Sequence, residues 1–471
     1  MFRRFSPKQV NVAATRRPFV RSSLLLFISI APLIFLICFI LNVYFKLGPH
    51  IGQVTALIFS RPHALFNAAF FTPYYQTFTL RHVYHHGTYR HPALHRRWDA
   101  THSESRADKD PMQFKMRSQS STIQRLSDRK PATIEGLLAM PYQQPLEHSL
   151  TWTTDKITIP DIMHQETVLA LASMCANSYT KVENNTQWED IGLGFGPGND
   201  FGWESDGLRS HVFVDSTNST IVIAIKGTSA IPFGDTTTKD KINDNLLFSC
   251  CCAQQGHWTW RQVCDCATDS HVYNATCVVG NLRQRDKYYP AALEMFSNIT
   301  AIYPEAEIWL TGHSLGGSIT SLLGLTYGLP VVTFQAVPEA LPASRLMIFA
   351  PPGSDAMRPQ TWRNTVAYHF GHTADPVYMG TCNQVFSSCS MAGYAFESSC
   401  HTGSRCIYDT VADKGWHENI AYHRIQSVID DVIKSYDDVP VCLPNFDCED
   451  CPQWNPGNGE NLKEAYPDMK A

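Results

Sequence analysis

The chain has 471 residues, 44% hydrophobic and 17% charged, a globular composition that excludes a disordered or collagen-like polymer. Its formal net charge is −5, but the signs are segregated. Residues 1–21 carry six basic side chains (Arg3, Arg4, Lys8, Arg16, Arg17, Arg21) and no acid, whereas from Pro131 onward 19 basic residues stand against 38 acidic ones. So acidic a folded part argues against a nucleic-acid partner.

Leu24 to Phe45 is a run of 22 residues without a charge. At ~1.5 Å per residue it spans the ~30 Å hydrocarbon core of a bilayer. It is longer than a signal-peptide core and shows no small-residue cleavage site. The basic flank precedes it, so residues 1–23 are expected in the cytoplasm and everything after residue 45 across the membrane. The reading is a single-pass signal anchor, with Pro32 bending its helix. Ile51 to Phe71 is broken by Arg61, Pro62 and His63 and is not read as a span.

Residues 46–165 read as a lumenal juxtamembrane region. The stretch RHVYHHGTYRHPALHRRWD, residues 81–99, holds His82, His85, His86, His91 and His95. Their spacing matches no standard metal site, and a solvated or membrane-facing surface is expected. Acceptor sequons at Asn184, Asn218, Asn274 and Asn298 all follow the anchor, which suits glycosylation in the lumen. Of 15 cysteines, 14 also lie downstream of it, an even number that points to disulfides in an oxidising compartment. Zinc held by Cys264-x-Cys266 or Cys448-x-x-Cys451 is the rival reading. Neither has a second CxxC or a histidine pair at finger spacing, so no metal is expected.

A folded domain is read over residues 166–451. Glu166–Ala176 has helical periodicity. His211–Asp215 and Thr220–Lys226 read as a strand pair about a Ser-Thr-Asn-Ser turn. Ala306–Thr311 is a strand and Ser318–Tyr327 a helix. Further strands are read at Leu329–Phe334, Leu346–Ala350 and Val366–Phe370, then a last helix at Ile420–Ser435. Strands alternating with helices give an α/β class. The polar stretch 452–471 reads as a disordered tail.

The chemistry concentrates in AEIWLTGHSLGGSITSLLGL, residues 306–325. Gly312-His313-Ser314-Leu315-Gly316 is a GxSxG turn between a β-prone and a helix-prone run, the setting in which a serine is presented as a nucleophile. Serine needs a base, and the base an orienting carboxylate. In chain order the acid comes next, and Asp375 follows a strand and precedes Pro376. The histidine follows it: His401, His417 and His423 are candidates, and His423, at the opening of the last helix, is preferred. One oxyanion donor is expected from the Leu315 N–H, and a second from Thr228 after the strand TIVIAIKGT, through its N–H and its hydroxyl. The segment NLLFSCCCAQQGHWTW, with Leu246, Leu247, Phe248, Trp258 and Trp260, reads either as a flap over the site or as a disulfide-pinned loop with its aromatics packed inward.

These motifs (IAIKGTS, CCCA, LTGHSLGGSI, YHFGHTADPVYMGTC, CHTGSRCIYDT and the HRI helix) together resemble the class 3 lipases, and among them the fungal vacuolar lipases that break down autophagic bodies. The likeness runs from the anchor to about Cys451. It implies an α/β-hydrolase fold, lipase or phospholipase activity in the vacuole lumen, and sorting through endoplasmic reticulum, Golgi and multivesicular bodies. It also implies Ser314 as nucleophile, Asp375 as acid and His423 as base, with no cofactor and with membrane phospholipids or neutral lipids as substrate. An esterase for polysaccharide-linked acyl groups and a non-catalytic membrane tether are the alternatives.

Overall fold

A computed structural model of the chain describes residues 75–87, 94–99, 113–139, 150–179, 207–228 and 235–457. The apolar run 24–45, Asn184, His91 and the tail from residue 458 lie outside them. Among the described residues no helix is long and apolar enough to cross a membrane.

The strands are β1 (Tyr75–Gly87), β2 (Leu94–Asp99), β3 (Phe114–Leu126), β4 (Trp152–Pro160), β5 (Leu208–Asp215), β6 (Thr220–Ile225), β7 (Ala267–Asp269), β8 (Val272–Tyr273), β9 (Glu307–His313), β10 (Val331–Phe334), β11 (Ala367–His372), β12 (Ser404–Tyr408), β13 (Cys442–Leu443) and β14 (Asn455–Pro456). The helices used below are α1 (Pro131–Leu138), α2 (Gln165–Asn177), α3 (Asp235–Phe248), α4 (Ala275–Leu282), α5 (Tyr288–Ile302), α6 (Leu315–Tyr327) and α7 (Ala340–Arg345).

One large sheet has the order β13-β12-β11-β10-β9-β6-β5-β1-β3-β4, with β2 paired to β1. Its centre, β12-β11-β10-β9-β6, is parallel, and β5, β1, β3 and β4 extend it antiparallel. A parallel strand covered on both faces must be apolar at every position. The six residues of β6, TIVIAI, are all buried. Alternation then divides them between two cores. Ile221, Ile223, Ile225, Ile308 and Leu310 pack with α4, α5 and α6 on one face. Val222, Ala224, Trp309, Val332 and Phe334 pack with α2 and the helical segment after Ile425 on the other.

The folded unit begins well before residue 166, because β1, β3 and β4 come from the stretch set apart as juxtamembrane. The histidines of β1 are therefore not a solvated surface. His85 and His86 are buried, His86 Nε2 lies 2.9 Å from Glu294 Oε2, and His82 lies 2.7 Å from Asp99 Oδ1 and 2.6 Å from the Tyr303 hydroxyl. Pairing of β1 with β5 along most of its length turns them inward.

Leu346–Ala350 is not a strand. Leu346, Met347 and Ile348 donate their N–H groups to Pro342, Ser344 and Ala343 at the end of α7, which leaves no ladder donors. The last helix is also broken. A 3₁₀ turn covers Ile420–His423, Arg424 is extended (ψ 131°), and helical winding resumes at Ile425. At the C-terminal side, Asn455–Pro456 pairs with β8, so the start of the expected tail is ordered.

Among the described residues, six disulfides join Cys250–Cys451, Cys252–Cys264, Cys266–Cys277, Cys382–Cys389, Cys400–Cys448 and Cys406–Cys442. The sulfurs of both zinc candidates are thus consumed, and Cys175 and Cys251 remain as buried thiols. Ile223→Ala, a truncation at a wholly buried site in the central sheet, should cost about 2–5 kcal/mol. Denaturant unfolding of the variant beside wild type measures it, and a loss under about 1 kcal/mol would contradict the close packing described.

Candidate active site

The turn from β9 into α6 is set by sterics. Ser314 has φ 56° and ψ −133°, in the left-handed half of conformational space that a side chain rarely adopts. It is held there because the helix must start hard against β6. A Cβ on Gly316 would lie 2.3 Å from the Ile225 carbonyl oxygen, and one on Gly312 would lie 2.5 Å from the Gly316 oxygen. Only glycine fits either place. The Ser314 N–H donates to the Phe334 carbonyl at 3.1 Å, which ties the elbow to β10.

The structure brings Ser314, His423 and Asp375 together. The Ser314 hydroxyl lies 2.8 Å from His423 Nε2, and His423 Nδ1 donates to Asp375 Oδ2 at 2.7 Å. Asp375 is wholly buried and Ser314 nearly so. Burial alone would raise the Asp375 carboxyl, but His423, then His372 and the Val377 N–H, outweigh it and hold the group below the usual carboxylate range. A carboxylate thus remains beside the imidazole, which fixes its tautomer and leaves Nε2 free to accept the serine proton.

The other histidine candidates stand elsewhere. His401 is buried, with Nδ1 3.1 Å from Glu339 Oε2 and Nε2 donating to the Tyr378 carbonyl at 3.0 Å. His417 is exposed and outside this hydrogen-bonded chain.

Sequence reasoning missed the groups that hold the triad. His313 accepts from the Tyr179 hydroxyl at Nδ1 (2.7 Å) and donates from Nε2 to the His423 carbonyl (2.7 Å). Burial, reinforced by the nearby His423, lowers its pKa to about 3, so it is neutral. His372 donates to the Tyr422 carbonyl at 3.2 Å, and its pKa is likewise lowered by burial. The aspartate beside the oxyanion loop was also missed. The Thr228 hydroxyl donates to Asp244 Oδ2 at 2.8 Å, so that hydroxyl is committed and its N–H is the donor left for an oxyanion. Burial pushes the Asp244 carboxyl well above the ordinary range. Nothing in a single sequence marks these partners, since each is distant in the chain from the group it holds. Leu315 opens α6, where first-turn N–H groups have no intrahelical acceptor.

The flap reading fails for its apolar start, because Leu246, Leu247 and Phe248 are in the core on α3. Trp260 is half-buried, whereas Trp258 is exposed. Of the sequons, Asn218 and Asn298 are exposed. Asn274 caps α4, its side chain accepting from the Cys277 N–H.

Two groupings have metal-ligand geometry among the described residues. Cys252, Cys264 and Cys266 are spoken for by disulfides. Glu339, His369 and His401 are wholly buried together. Glu339 Oε1 accepts from Ser321 Oγ (3.0 Å), Thr402 N (3.0 Å) and Thr402 Oγ1 (2.6 Å), and His369 Nε2 lies 3.3 Å away. Burial would raise this carboxyl, yet the two histidines and Thr402 bring it down to about 2. Its oxygens are filled by protein donors, which makes it a polar clamp behind α6.

Residues 234–332 match the family described as Lipase (class 3). "Putative lipase atg15" of Penicillium rubens is 48% identical over 399 residues, covering 81% of this chain, and "Putative lipase ATG15" of Passalora fulva is 48% identical over 394 residues, covering 80%. The chain spans 59% of the length of each. A triacylglycerol lipase structure from Penicillium expansum overlaps 53% of this chain and 80% of its own, at 12% identity and a TM-score of 0.27, too slight a likeness to argue from. Shared identity across four fifths of its length makes the chain a homologue of both fungal relatives, and residues 234–332 give it a class 3 lipase domain.

Proposed function

We propose that the protein is a membrane-anchored serine hydrolase that cleaves acyl esters of membrane lipids. The observation that carries this is the unbroken chain Ser314–His423–Asp375, at 2.8 and 2.7 Å, on a strained strand–helix turn. Ser314 Oγ attacks the acyl carbonyl while His423 takes its proton. Asp375 stabilises the imidazolium that forms. The Leu315 and Thr228 N–H groups face the oxyanion, and His423 returns the proton to the leaving alcohol. Water then attacks the acyl-enzyme by the same base, so the atoms balance without a cofactor.

A lipid substrate is supported by the relatives' names and by the apolar run 24–45, which as a signal anchor would keep the site near bilayers and raise encounter frequency. With the basic stub in the cytoplasm, the catalytic part is lumenal, where disulfides persist. Asn218 and Asn298 present exposed side chains for glycosylation there. We place the activity in the vacuole lumen, reached through the secretory and multivesicular-body route, with autophagic bodies as the membrane consumed.

Full-length wild type, Ser314→Ala and His423→Ala tested on phospholipid vesicles decide the reading. The variants should lose on the order of 10⁴- to 10⁶-fold in rate. Preference for feruloylated oligosaccharides over vesicles would favour a polysaccharide esterase, and undiminished membrane breakdown with Ser314→Ala would leave a tether.

Asp375 also makes a pH prediction. Its folded pKa lies below the unfolded-chain value of ~3.9. Its stabilisation is therefore present above that value and lost as pH falls through the folded pKa. The stability gap between wild type and Asp375→Asn should close as pH is lowered from about 5 toward 2. A gap that stays constant over that range, by unfolding at stepped pH, would contradict it.

A further inference from the structure

Four large apolar side chains stand in water: Trp258 (85% exposed), Phe386 (88%), Met391 (56%) and Val385 (52%). Scattered exposed hydrophobics are ordinary. Trp258 lies in the loop closed by Cys252–Cys264, Val385 and Phe386 in the one closed by Cys382–Cys389, and Met391 ends the short helix Ser388–Met391 that follows the second. A seam of hydrogen bonds fastens the loops side by side. Thr259 Oγ1 donates to the Ser390 carbonyl (2.5 Å), Trp260 Nε1 to Ser390 Oγ (3.1 Å) and the Arg261 N–H to the Gly393 carbonyl (3.2 Å). Trp258 and Met391 each adjoin a seam residue in sequence.

The seam is hung from the helix that serves the reaction centre. On α3, Asp244 holds the Thr228 hydroxyl. Asn245, the next residue, donates to the Arg261 and Gly393 carbonyls (both 2.9 Å) and accepts from the Ala395 N–H (2.8 Å). Whatever the loops rest on is therefore fixed relative to the oxyanion threonine.

Charge indicates what that is. Residues 248–264 and 376–396 contain no Asp or Glu, in a region that from Pro131 has two acids for every base. Cations belong to the loops or pack on them: Arg261 is exposed within the first loop, and Lys241 of α3 holds Nζ 4.9 Å above the Tyr394 ring. The acids bonded to the loops come from outside these stretches and sit near their ends, Asp265 on Gln254 and Glu418 on Thr381. Apolar loops that carry no acid of their own and bear cations complement an anionic bilayer and gain less from a second copy of this acidic chain. Tryptophan is suited to the boundary between headgroups and acyl chains.

We propose that these two loops dock the enzyme on the surface of an anionic phospholipid bilayer, with Trp258 and Phe386 entering the interface and Arg261 meeting headgroups. This rests on the lipid-hydrolase reading above and adds where the molecule meets its substrate.

The test compares full-length wild type, Trp258→Ser/Phe386→Ser and Arg261→Glu on two substrates. One is a short-chain p-nitrophenyl ester in free solution, and the other is phosphatidylcholine vesicles with and without phosphatidylglycerol. Both side chains of the double variant are exposed, and thermal melting verifies its fold. Its vesicle hydrolysis should fall about tenfold or more, while soluble-ester turnover stays within about twofold. Arg261→Glu should erase the advantage of vesicles containing phosphatidylglycerol. Unchanged vesicle hydrolysis in the double variant overturns the docking role, as does an equal loss on both substrates. A wild-type dimer that the double variant dissolves overturns it too, since the patch is then a protein interface. Wild type no more active than Ser314→Ala on either substrate overturns the hydrolase reading itself.

Discussion

The contact between Gly316 and the Ile225 carbonyl governs how this molecule is assembled. A Cβ at 2.3 Å is not tolerated, so glycine alone lets α6 begin against the end of β6. That approach forces the chain through φ 56° at Ser314 and keeps β6 and β9 in parallel register from Thr220↔Glu307 to Ile225↔Gly312. Strain of this kind costs on the order of 1–3 kcal/mol and persists only when the surroundings over-determine it. Here they do: Ile221, Ile223 and Ile225 are in one core and Val222 and Ala224 in the other, so β6 cannot slide to relieve the turn. The serine is presented by the packing of a sheet that is apolar on both faces.

The same region explains how its buried ionisable groups are held apart from those of the Ser314–His423–Asp375 chain. Asp375 and Glu339 are wholly buried and yet held low, Asp375 by His423 and Glu339 by His369, His401 and Thr402. Glu339 also reaches α6 through Ser321, two turns beyond the elbow. Through His401 it reaches the Tyr378 carbonyl, three residues beyond the acid. The helix that follows Ser314 and the loop that carries Asp375 are thus joined by a route independent of the Ser314–His423–Asp375 hydrogen bonds. Breaking a buried carboxylate network by removing one partner leaves an uncompensated group in the interior, which makes such a linkage rigid.

Much of this was legible in the sequence, and the limits have physical causes. The elbow, the strand before it and the helix after it are local, and small residues around a serine announce them. Continuous apolar strands such as TIVIAI are likewise self-evident. The stretch from Tyr75 to Leu126 misled because histidine and arginine look like surface residues. Its partners, Glu294 and Tyr303 for the histidines and Asp155 for Arg125, lie far along the chain, so pairing that buries them leaves no local signature. Leu346–Ala350 misled for the opposite reason: its apolar pattern suits a strand, but its N–H groups close the end of α7. At the candidate site, Ser314, Asp375 and His423, which the structure brings within hydrogen-bonding reach of one another, were legible because the chemistry proposed for them dictates their types and order. Tyr179, His313 and Asp244 were not, since a hydroxyl, an imidazole and a carboxyl have many structural uses.

Loops pose a problem that the sheet does not. Asp375 and His423 both sit beyond strand ends, where no ladder fixes the backbone, yet their separation must hold to a few tenths of an ångström for proton transfer. Three histidines supply the missing bonds. Each donates Nε2–H to a main-chain carbonyl: His313 to His423, His372 to Tyr422 and His401 to Tyr378. An imidazole serves this purpose when its second nitrogen is also occupied, and Tyr179, Thr410 and Glu339 occupy it. For His313 and His372 the partner is a hydroxyl, which can donate to Nδ1 only while the ring is neutral. Burial secures that state by lowering both pKa values, His313 to about 3. Both rings therefore take up a proton at lower pH than an unperturbed imidazole near pH ~6.5, and His313 does so only near pH 3. The scaffold around the base therefore keeps one hydrogen-bonding pattern as a compartment acidifies, even though it is built from the residue type most prone to change with pH.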